Sequence, residues 1–481
     1  MTKCTANWTV RGYPMLLSIK DDIDSLEASL KRRILEPAPS VDLSSSTLSL
    51  NEAMALAQNP LMREILRRAN KDYLYWDKFK HIALPEGLDP KVSWVLLKLT
   101  RALDRRDTLV TDVHGHTFSY SLTPEALRCL HEIDKRAGGS VTMDSGGIPE
   151  ENRKRFLVNS LMEEAIASSQ IEGAATTTRV AKEMLRTGRE PADRAERMIL
   201  NNYKTIQRIK DYVAKPITPE MILALQESMT EGTMDDEADS GRFRTPDDDV
   251  IVVDDGQNEI LHTPPHASEI ESQLQALCDY ANNDDGDFEY PVLRAIVLHF
   301  WLAYLHPFVD GNGRTARALF YLYMLKRDYW LFEYLAISRV ILGKRGQYDK
   351  AYIYSEQDDC DMTYFVTFNL HAIEQSLNEL HEYMSRKAKE DDRLQRSLKN
   401  DLSLNHRQRA VLIRALKDAS VQVTMESHEA SHDVAYATAR ADLLSLVENG
   451  YMVQKRVGRK YVFVPSPDLR SMIEASTTEI S

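Results

Sequence analysis

Within the twelve residues His306-Pro-Phe-Val-Asp310-Gly311-Asn312-Gly313-Arg314-Thr-Ala-Arg317 the chain gathers one histidine, one aspartate, two arginines and two glycines. Gly311 and Gly313 let the backbone turn tightly and approach a ligand with no Cβ in the way. They stand just ahead of a helix N-terminus, where unpaired N–H groups and the helix dipole favour an anion, phosphate above all. Arg314 and Arg317 are three apart on that helix, so they share a face and can clamp further phosphate oxygens. Asp310 offers a hard oxygen ligand for Mg²⁺, which travels with a polyphosphate. His306 is the one side chain of the loop whose ordinary pKa suits a general base near neutral pH. A histidine before a turn, or a Gly-Asn-Gly turn, is ordinary by itself. An anion cradle, two cations, a metal carboxylate and a base in one loop describe transfer of a phosphorus-containing group.

The flanking elements must hold this loop. Residues 291–305 are apolar almost all round, apart from Arg294 and His299, which predicts a buried helix too short to span a bilayer. Residues 315–325 predict a second buried helix, so the loop joins two helices. Upstream, 158–173 (VNSLMEEAIASSQIEG) places Leu161, Ala165, Ile166 and Ile171 on one face of a helix that Gly173 terminates. Ser168 and Glu172 lie four apart on one face. A carboxylate in a last turn opposes the helix dipole, so Glu172 either meets a cation or points at water. Between the two regions, 250–253 and 259–262 predict a hairpin turning at Asp254-Asp-Gly256 and closed by Thr263-Pro-Pro265.

His306-Pro-Phe308, Asp310-Gly-Asn-Gly-Arg314 and Arg317 match the Fic-family motif HPFx(D/E)GNGRxxR at every specified position, and residues 158–365 resemble that family. The resemblance implies a mainly α fold, a helical core with a small β-hairpin flap. It also implies an adenylyltransferase that moves AMP from ATP, with Mg²⁺, to a Tyr, Thr or Ser hydroxyl of a target protein (itself included), releasing pyrophosphate. By the same resemblance His306 deprotonates the hydroxyl and Asp310 binds Mg²⁺. Gly311, Asn312 and Gly313 would hold the α- and β-phosphates, and Arg314 and Arg317 the β- and γ-phosphates. The complete second half of the motif favours AMP transfer over the phosphate transfer of the related Doc kinases. Ser168-x-x-x-Glu172-Gly173 resembles the family's inhibitory motif (S/T)xxxE(G/N), here ahead of the core as in its class II. It implies that Glu172 competes with phosphate for Arg317. The hairpin stands where the family has its flap, which pairs with the target backbone. Tyr348 lies where the family contacts adenine, and a core tyrosine explains it equally well. Two other readings use the same residues: removal of AMP from a modified protein, and a nucleotide-sensing regulator that binds DNA.

A chain of 481 residues, 43% hydrophobic and 28% charged, has room for several domains of ordinary soluble character. A net charge of −13 gives no global attraction to nucleic acid or acidic membrane. Cys4, Cys129, Cys278 and Cys360 are scattered, without paired spacing, which fits reduced thiols rather than a disulfide frame or zinc site. With no signal peptide and no apolar span, a cytoplasmic enzyme is expected. The expected division is a mostly helical region over 1–150, the Fic-like domain over 151–385, a charged linker or solvated helix end over 386–400, a small domain over 401–470 and a tail over 471–481. In 401–470, three helices precede two short strands, which resembles a winged helix. Its ten basic and eight acidic residues leave it open as a DNA, protein or dimer contact. A short helix over 23–35, a helix from Leu50 interrupted at Asn59-Pro60, an aromatic stretch over 73–79 in a core or interdomain contact and a hairpin around Gly115 complete the expectations.

Overall fold

A computed structural model of the chain describes residues 9–11, 36–39, 55–56, 58–86, 88–138, 150–254, 259–283, 288–400, 403–417, 421–457 and 460–478. The helix expected over 23–35 lies outside them. The chain divides into two compact units, residues 1–140 with 160–377, and 141–159 with 378–481.

The first unit is mainly α. After strand β1 (Thr9–Arg11) come α1 (Pro60–Lys71), α2 (Trp76–Phe79), α3 (Pro90–Ala102), the hairpin β2 (Arg105–Thr111) and β3 (Thr117–Ser121), and α4 (Pro124–Ala137). There follow α5 (Glu150–Ile171), α6 (Thr178–Thr187), α7 (Arg194–Arg208), α8 (Pro219–Thr230), strands β4 (Ile251–Asp254) and β5 (Glu259–His262), and α9 (Ile270–Asn282). The centre is α10 (Pro291–Leu305) against α11 (Asn312–Lys326), and α12 (Ile337–Gly343), α13 (Arg345–Gln357) and, as far as residue 377, α14 (Thr363–Asn400) close the series. Asn59 interrupts the helical backbone as expected: residues 55, 56 and 58 are helical, Asn59 is a bend, and its Oδ1 accepts from the Leu61 and Met62 amides to start α1 with Pro60 at the first helical position. Asp89-Pro90, Thr123-Pro124 and Thr218-Pro219 open α3, α4 and α8 in the same manner. A capping oxygen answers a free N–H there, and proline supplies the helical φ with no N–H to waste.

The expected boundary near residue 150 does not divide the N-terminal helices from the motif loop. The reason is a buried ionic network. Lys98 Nζ lies 2.8 Å from Asp358 Oδ1, and Arg105 Nη2 and the Tyr73 hydroxyl reach Asp361 Oδ2 at 2.8 and 2.7 Å. Tyr75, Trp76 and Phe79 are core residues as expected, and the Tyr75 ring stacks on Tyr354 at 3.9 Å between centroids. The hairpin around Gly115 forms, and its Ser119 bridges to Asp361. β4 and β5 pair antiparallel, with Val252 opposite His262, but they are not an isolated hairpin. β1 adds a third strand on β4, Val10 opposite Val252.

In the second unit, α15 (His406–Lys417), α16 (Met425–His432) and α17 (Tyr436–Glu448) precede the antiparallel pair β6 (Met452–Val457) and β7 (Lys460–Pro465), then α18 (Leu469–Thr478). Val423 bridges to Phe463, adding a third short strand position to β6–β7. Asp442 joins the three helices: it accepts from Arg407 Nε at 2.6 Å and Asn405 Nδ2 at 2.6 Å, and lies 3.2 Å from His428 Nε2. Two expectations fail here. Residues 386–400 are a helix end, that of α14, rather than a linker, and not a wholly solvated one, since Leu394 and Leu398 lie in the apolar core. Residues 471–478 are not a tail but α18, whose Leu469 and Ile473 enter the same core. In both cases a sparse i, i+4 apolar pair among charges suffices for helix burial.

Candidate active site

Helix α10 ends because the next residue, His306, adopts φ +48° and ψ +56°, the left-handed turn that terminates a helix. The turn directs the ring inward, where it is 8% exposed. Its Nδ1 lies 3.1 Å from the Ala303 carbonyl oxygen. A carbonyl only accepts, so Nδ1 carries the hydrogen and Nε2 the lone pair. That Nε2 is buried and has no hydrogen-bond partner among the described residues. Burial, with repulsion from His262 and Arg244, pushes the ring's pKa down to about 3. His306 is therefore a neutral base with an unused lone pair. Arg244 fixes the backbone around it, donating Nε to the His306 carbonyl at 2.7 Å and Nη2 to the Pro265 carbonyl at 2.6 Å.

The glycine loop is held by its own side chains. Asn312 Oδ1 accepts from the Phe308 amide at 3.0 Å, and its Nδ2 donates to the Phe308 carbonyl at 2.9 Å. The Asn312 side chain thus closes the loop, leaving its backbone toward any anion. Gly311 takes φ +88°, and a Cβ there would stand 2.9 Å from Thr230 Cγ2, which excludes larger residues. Asp310 Oδ1 accepts from the Gly311 amide at 2.6 Å, and its Oδ2 from Arg314 Nη2 at 3.3 Å. Arg314 is fully buried and donates Nη1 to the Met229 carbonyl at 2.9 Å, fastening α11 to α8.

Arg317 faces the other way. Its Nε donates to Ser168 Oγ at 2.9 Å, and its Nη2 to the Ser168 carbonyl at 2.8 Å and to Glu172 Oε1 at 2.9 Å. Burial opposes its charge, but Glu172, together with Tyr348 and Glu164, outweighs this and raises its pKa. Glu172 also fills the mouth of α11, since a Cβ on Gly313 would lie 2.2 Å from Glu172 Oε1. The carboxylate position follows from how α5 ends. Gly173 takes φ +92°, its amide donates to Gln170, and the Ala174 amide donates to Ser169, the left-handed cap that places Glu172 at the last turn. Arg345 Nη1 donates to the Ile171 carbonyl, giving that helix end a second cation.

A cavity of about 40 Å³ is lined by His306, Gly313, Arg317, Glu172 and Tyr348, together with His262, Tyr304, Tyr352 and Glu356. Arg314 is not among them. Tyr348 stands beside Arg317 with its hydroxyl 3.0 Å from His299 Nε2 and 3.3 Å from the Tyr352 hydroxyl. Sequence reasoning missed Glu164, although it stands four residues before Ser168 on the same face of α5. Glu164 is buried and accepts from the Tyr321 hydroxyl at 2.8 Å, the Ser338 amide at 2.8 Å and the Ser338 hydroxyl. It also missed His262 and Glu356, which are far apart in sequence and meet only in the fold. Glu125, Cys129 and His371 form a close-set group of ligand types. Arg128 already answers the carboxylates there, 2.7 Å from both Glu125 and Glu374.

Residues 216–324, which span α8, strands β4 and β5 and the motif loop, match the Fic/DOC family. This segment is a Fic domain. Curated relatives of the Fic region include the protein adenylyltransferase Fic of Nematostella vectensis, 27% identical over 196 residues, 40% of this chain and 43% of the relative. That of Drosophila willistoni is 27% identical over 117 residues, 24% of this chain and 22% of the relative. The chain thus spans less than half the length of either. Among solved structures, a Fic family protein from Desulfovibrio desulfuricans G20 aligns at TM-score 0.48 and 19% identity, over 72% of this chain and 98% of that one. Fic-1 from C. elegans aligns at TM-score 0.47 and 18% identity, over 72% and 91%. No helix among the described residues is long and apolar enough to cross a membrane.

Proposed function

We propose that the chain transfers AMP from ATP to a hydroxyl group of a target protein, and that Glu172 restrains the transfer by occupying Arg317. One observation carries this reading: a neutral His306, whose buried Nε2 has no partner among the described residues, lines the same cavity as the Arg317–Glu172 pair. In this mechanism His306 Nε2 takes the proton of the attacking hydroxyl, while the Nδ1–H bond to Ala303 keeps the ring in the required tautomer. The first-turn N–H groups of α11 and the Arg317 guanidinium bind the phosphates. Glu172 already places a carboxylate at that helix mouth, which supports an anionic oxygen as the natural guest of those donors. Arg314, bonded to Met229 and Asp310, acts on the loop's shape. Asp310 is the one acidic side chain of the loop, and a single carboxylate beside phosphate oxygens is the donor set Mg²⁺ prefers. The ion, when bound, supplies charge neutralisation on the polyphosphate.

The flap strands would present the target backbone by strand addition. β1 lies on β4, so a target taking that edge must replace Thr9–Arg11. A cavity of about 40 Å³ is far below the roughly 300 Å³ of a small-ligand site, so a productive triphosphate requires Glu172 to withdraw. Glu172 and His306 also line one cavity, an arrangement that suits the reverse reaction if Glu172 orients a water against a modified hydroxyl.

The test is incubation with α-³²P-ATP and Mg²⁺, alone and with cell lysate. Protein should be labelled by Glu172→Gly and left unlabelled by Glu172→Gly/His306→Ala. Equal labelling by the two would remove His306 from the chemistry. Absence of label in both, with release of AMP from a premodified protein, would turn the reading to the reverse reaction.

A further inference from the structure

His262 ends the flap strand β5, and its ring is buried within the same unit as the catalytic loop. Nδ1 lies 2.9 Å from Glu356 Oε2, and Nε2 lies 2.7 Å from the Tyr304 carbonyl oxygen. An ionised carboxylate and a carbonyl both only accept. Both ring nitrogens must therefore carry hydrogen, so the ring at rest is an imidazolium. Tyr304 stands two residues before His306 on α10, and Glu356 is on α13. The flap is thus tied by one charged ring to the base-bearing helix and to a second wall of the cavity. The phosphate-binding scheme uses neither His262 nor Glu356, although both line the cavity beside His306.

We propose that His262, in its doubly protonated form, is a positioning residue: a latch that holds the flap against the turn bearing His306 and so fixes where a target hydroxyl meets Nε2. The inference rests on the AMP-transfer reading for its role in turnover, but the latch itself is a property of the fold. A neutral His262 has only one N–H. It must lose either Glu356 or Tyr304, and its new lone pair then faces an oxygen lone pair. The Tyr304 ring packs on the imidazole at 4.8 Å between centroids, and Val252 stands opposite on β4. Among the charged and titratable groups around the ring, Glu356 favours the proton, as does the Tyr304 carbonyl, whereas Arg244 opposes it. His306 faces it as a neutral ring, kept so partly by His262 itself. Burial alone would lower the pKa of His262, but Glu356's charge and hydrogen bond, with the Tyr304 carbonyl, raise it. The latch is therefore closed below the ordinary histidine range and through neutrality, and it opens as the pH rises through the raised pKa.

The experiment is hydrogen exchange by mass spectrometry on the full chain, corrected for intrinsic exchange, from pH 6.5 upward. It compares wild type, His262→Gln and Glu356→Gln. Loss of one charge-assisted hydrogen bond corresponds to about tenfold faster opening. That acceleration is expected at residues 251–254 and 259–262 in both variants at pH 6.5 and in wild type once the pH has passed the raised pKa, with α10 and α11 unchanged. Ring ¹⁵N spectra of wild type should show both His262 nitrogens protonated at pH 7.5. In the Glu172→Gly background, with the Glu172→Gly/His306→Ala chain as acceptor, either latch variant should raise the acceptor KM about tenfold and leave ATP affinity unchanged. Glu356→Gln should in addition move the alkaline fall in rate to lower pH. Unchanged flap protection, or a neutral His262 ring at pH 7.5, overturns the proposal. Absence of transfer by Glu172→Gly alone would instead count against the AMP-transfer reading, and flap exchange would then decide the latch by itself.

Discussion

Replacing Glu172 should release the site in two separable steps, because its carboxylate withholds both a cation and a space. It lies 2.9 Å from Arg317 Nη2, and its Oε1 stands 2.2 Å from the position of a Cβ on Gly313. Opposite unit charges about 4 Å apart attract by roughly 4 kcal/mol at an effective dielectric near 20. Part of that is already shared, since Arg317 keeps its two bonds to Ser168 whether or not Glu172 is charged. Taking about half as the barrier to seating a phosphate, Glu172→Gln should speed transfer about 30-fold while leaving the volume filled. Glu172→Gly also empties the mouth of α11, and its rate should exceed that of the glutamine variant severalfold. The same change strands a buried guanidinium, at a cost of about 3–5 kcal/mol. The thermal midpoint of the free variant should therefore fall, and saturation with Mg-ATP at 100 times Kd should return about 2.7 kcal/mol. The assay is initial-rate labelling with α-³²P-ATP beside thermal melts with and without nucleotide. Equal rates in wild type and both variants, with ATP bound no more tightly by the variants, would refute the competition between carboxylate and phosphate.

Two further outcomes follow from the packing. His299 and His306 are both buried, and burial takes each pKa down to about 3. Between that value and the ordinary histidine range the unfolded chain binds more protons. Stability should then fall with falling pH by up to about 1.4 kcal/mol per unit for each ring. Denaturant melts at pH 7, 6 and 5 measure this, and His306→Asn should remove one ring's share of the slope. Leu398 is 2% exposed in the core of the second unit, so Leu398→Ala should cost about 2–4 kcal/mol. Limited proteolysis should then cut within residues 378–478 before the Fic segment, whereas a solvated linker at 386–400 would show no such effect.

The sequence by itself determined what is local. His306, Asp310, the glycines and Arg317 lie within one turn and the start of one helix, so their spacing alone brings them into one loop. Glu172 was legible for a similar reason: the Ser168–Glu172 interval sets their common face, and Gly173 sets where the helix stops. The hairpin strands and the order of elements in 401–470 were legible through apolar periodicity and turn residues. Tertiary structure decided what each polar group faces. Arg314 and Arg317 are equivalent by spacing, yet the Met229 carbonyl claims one and Ser168 with Glu172 the other. Glu164 reads as an ordinary helix glutamate until Tyr321 and Ser338 close over it. Leu394 and Leu398 are too few among charges to announce a core, and only their partners in the second unit bury them. β1 joins β4 across more than two hundred residues, and His262 meets Glu356 across 94. Backbone pairing is blind to side-chain type, and a hydrogen bond between distant residues leaves no period in the chain. Such contacts exist only once packing has brought their partners together.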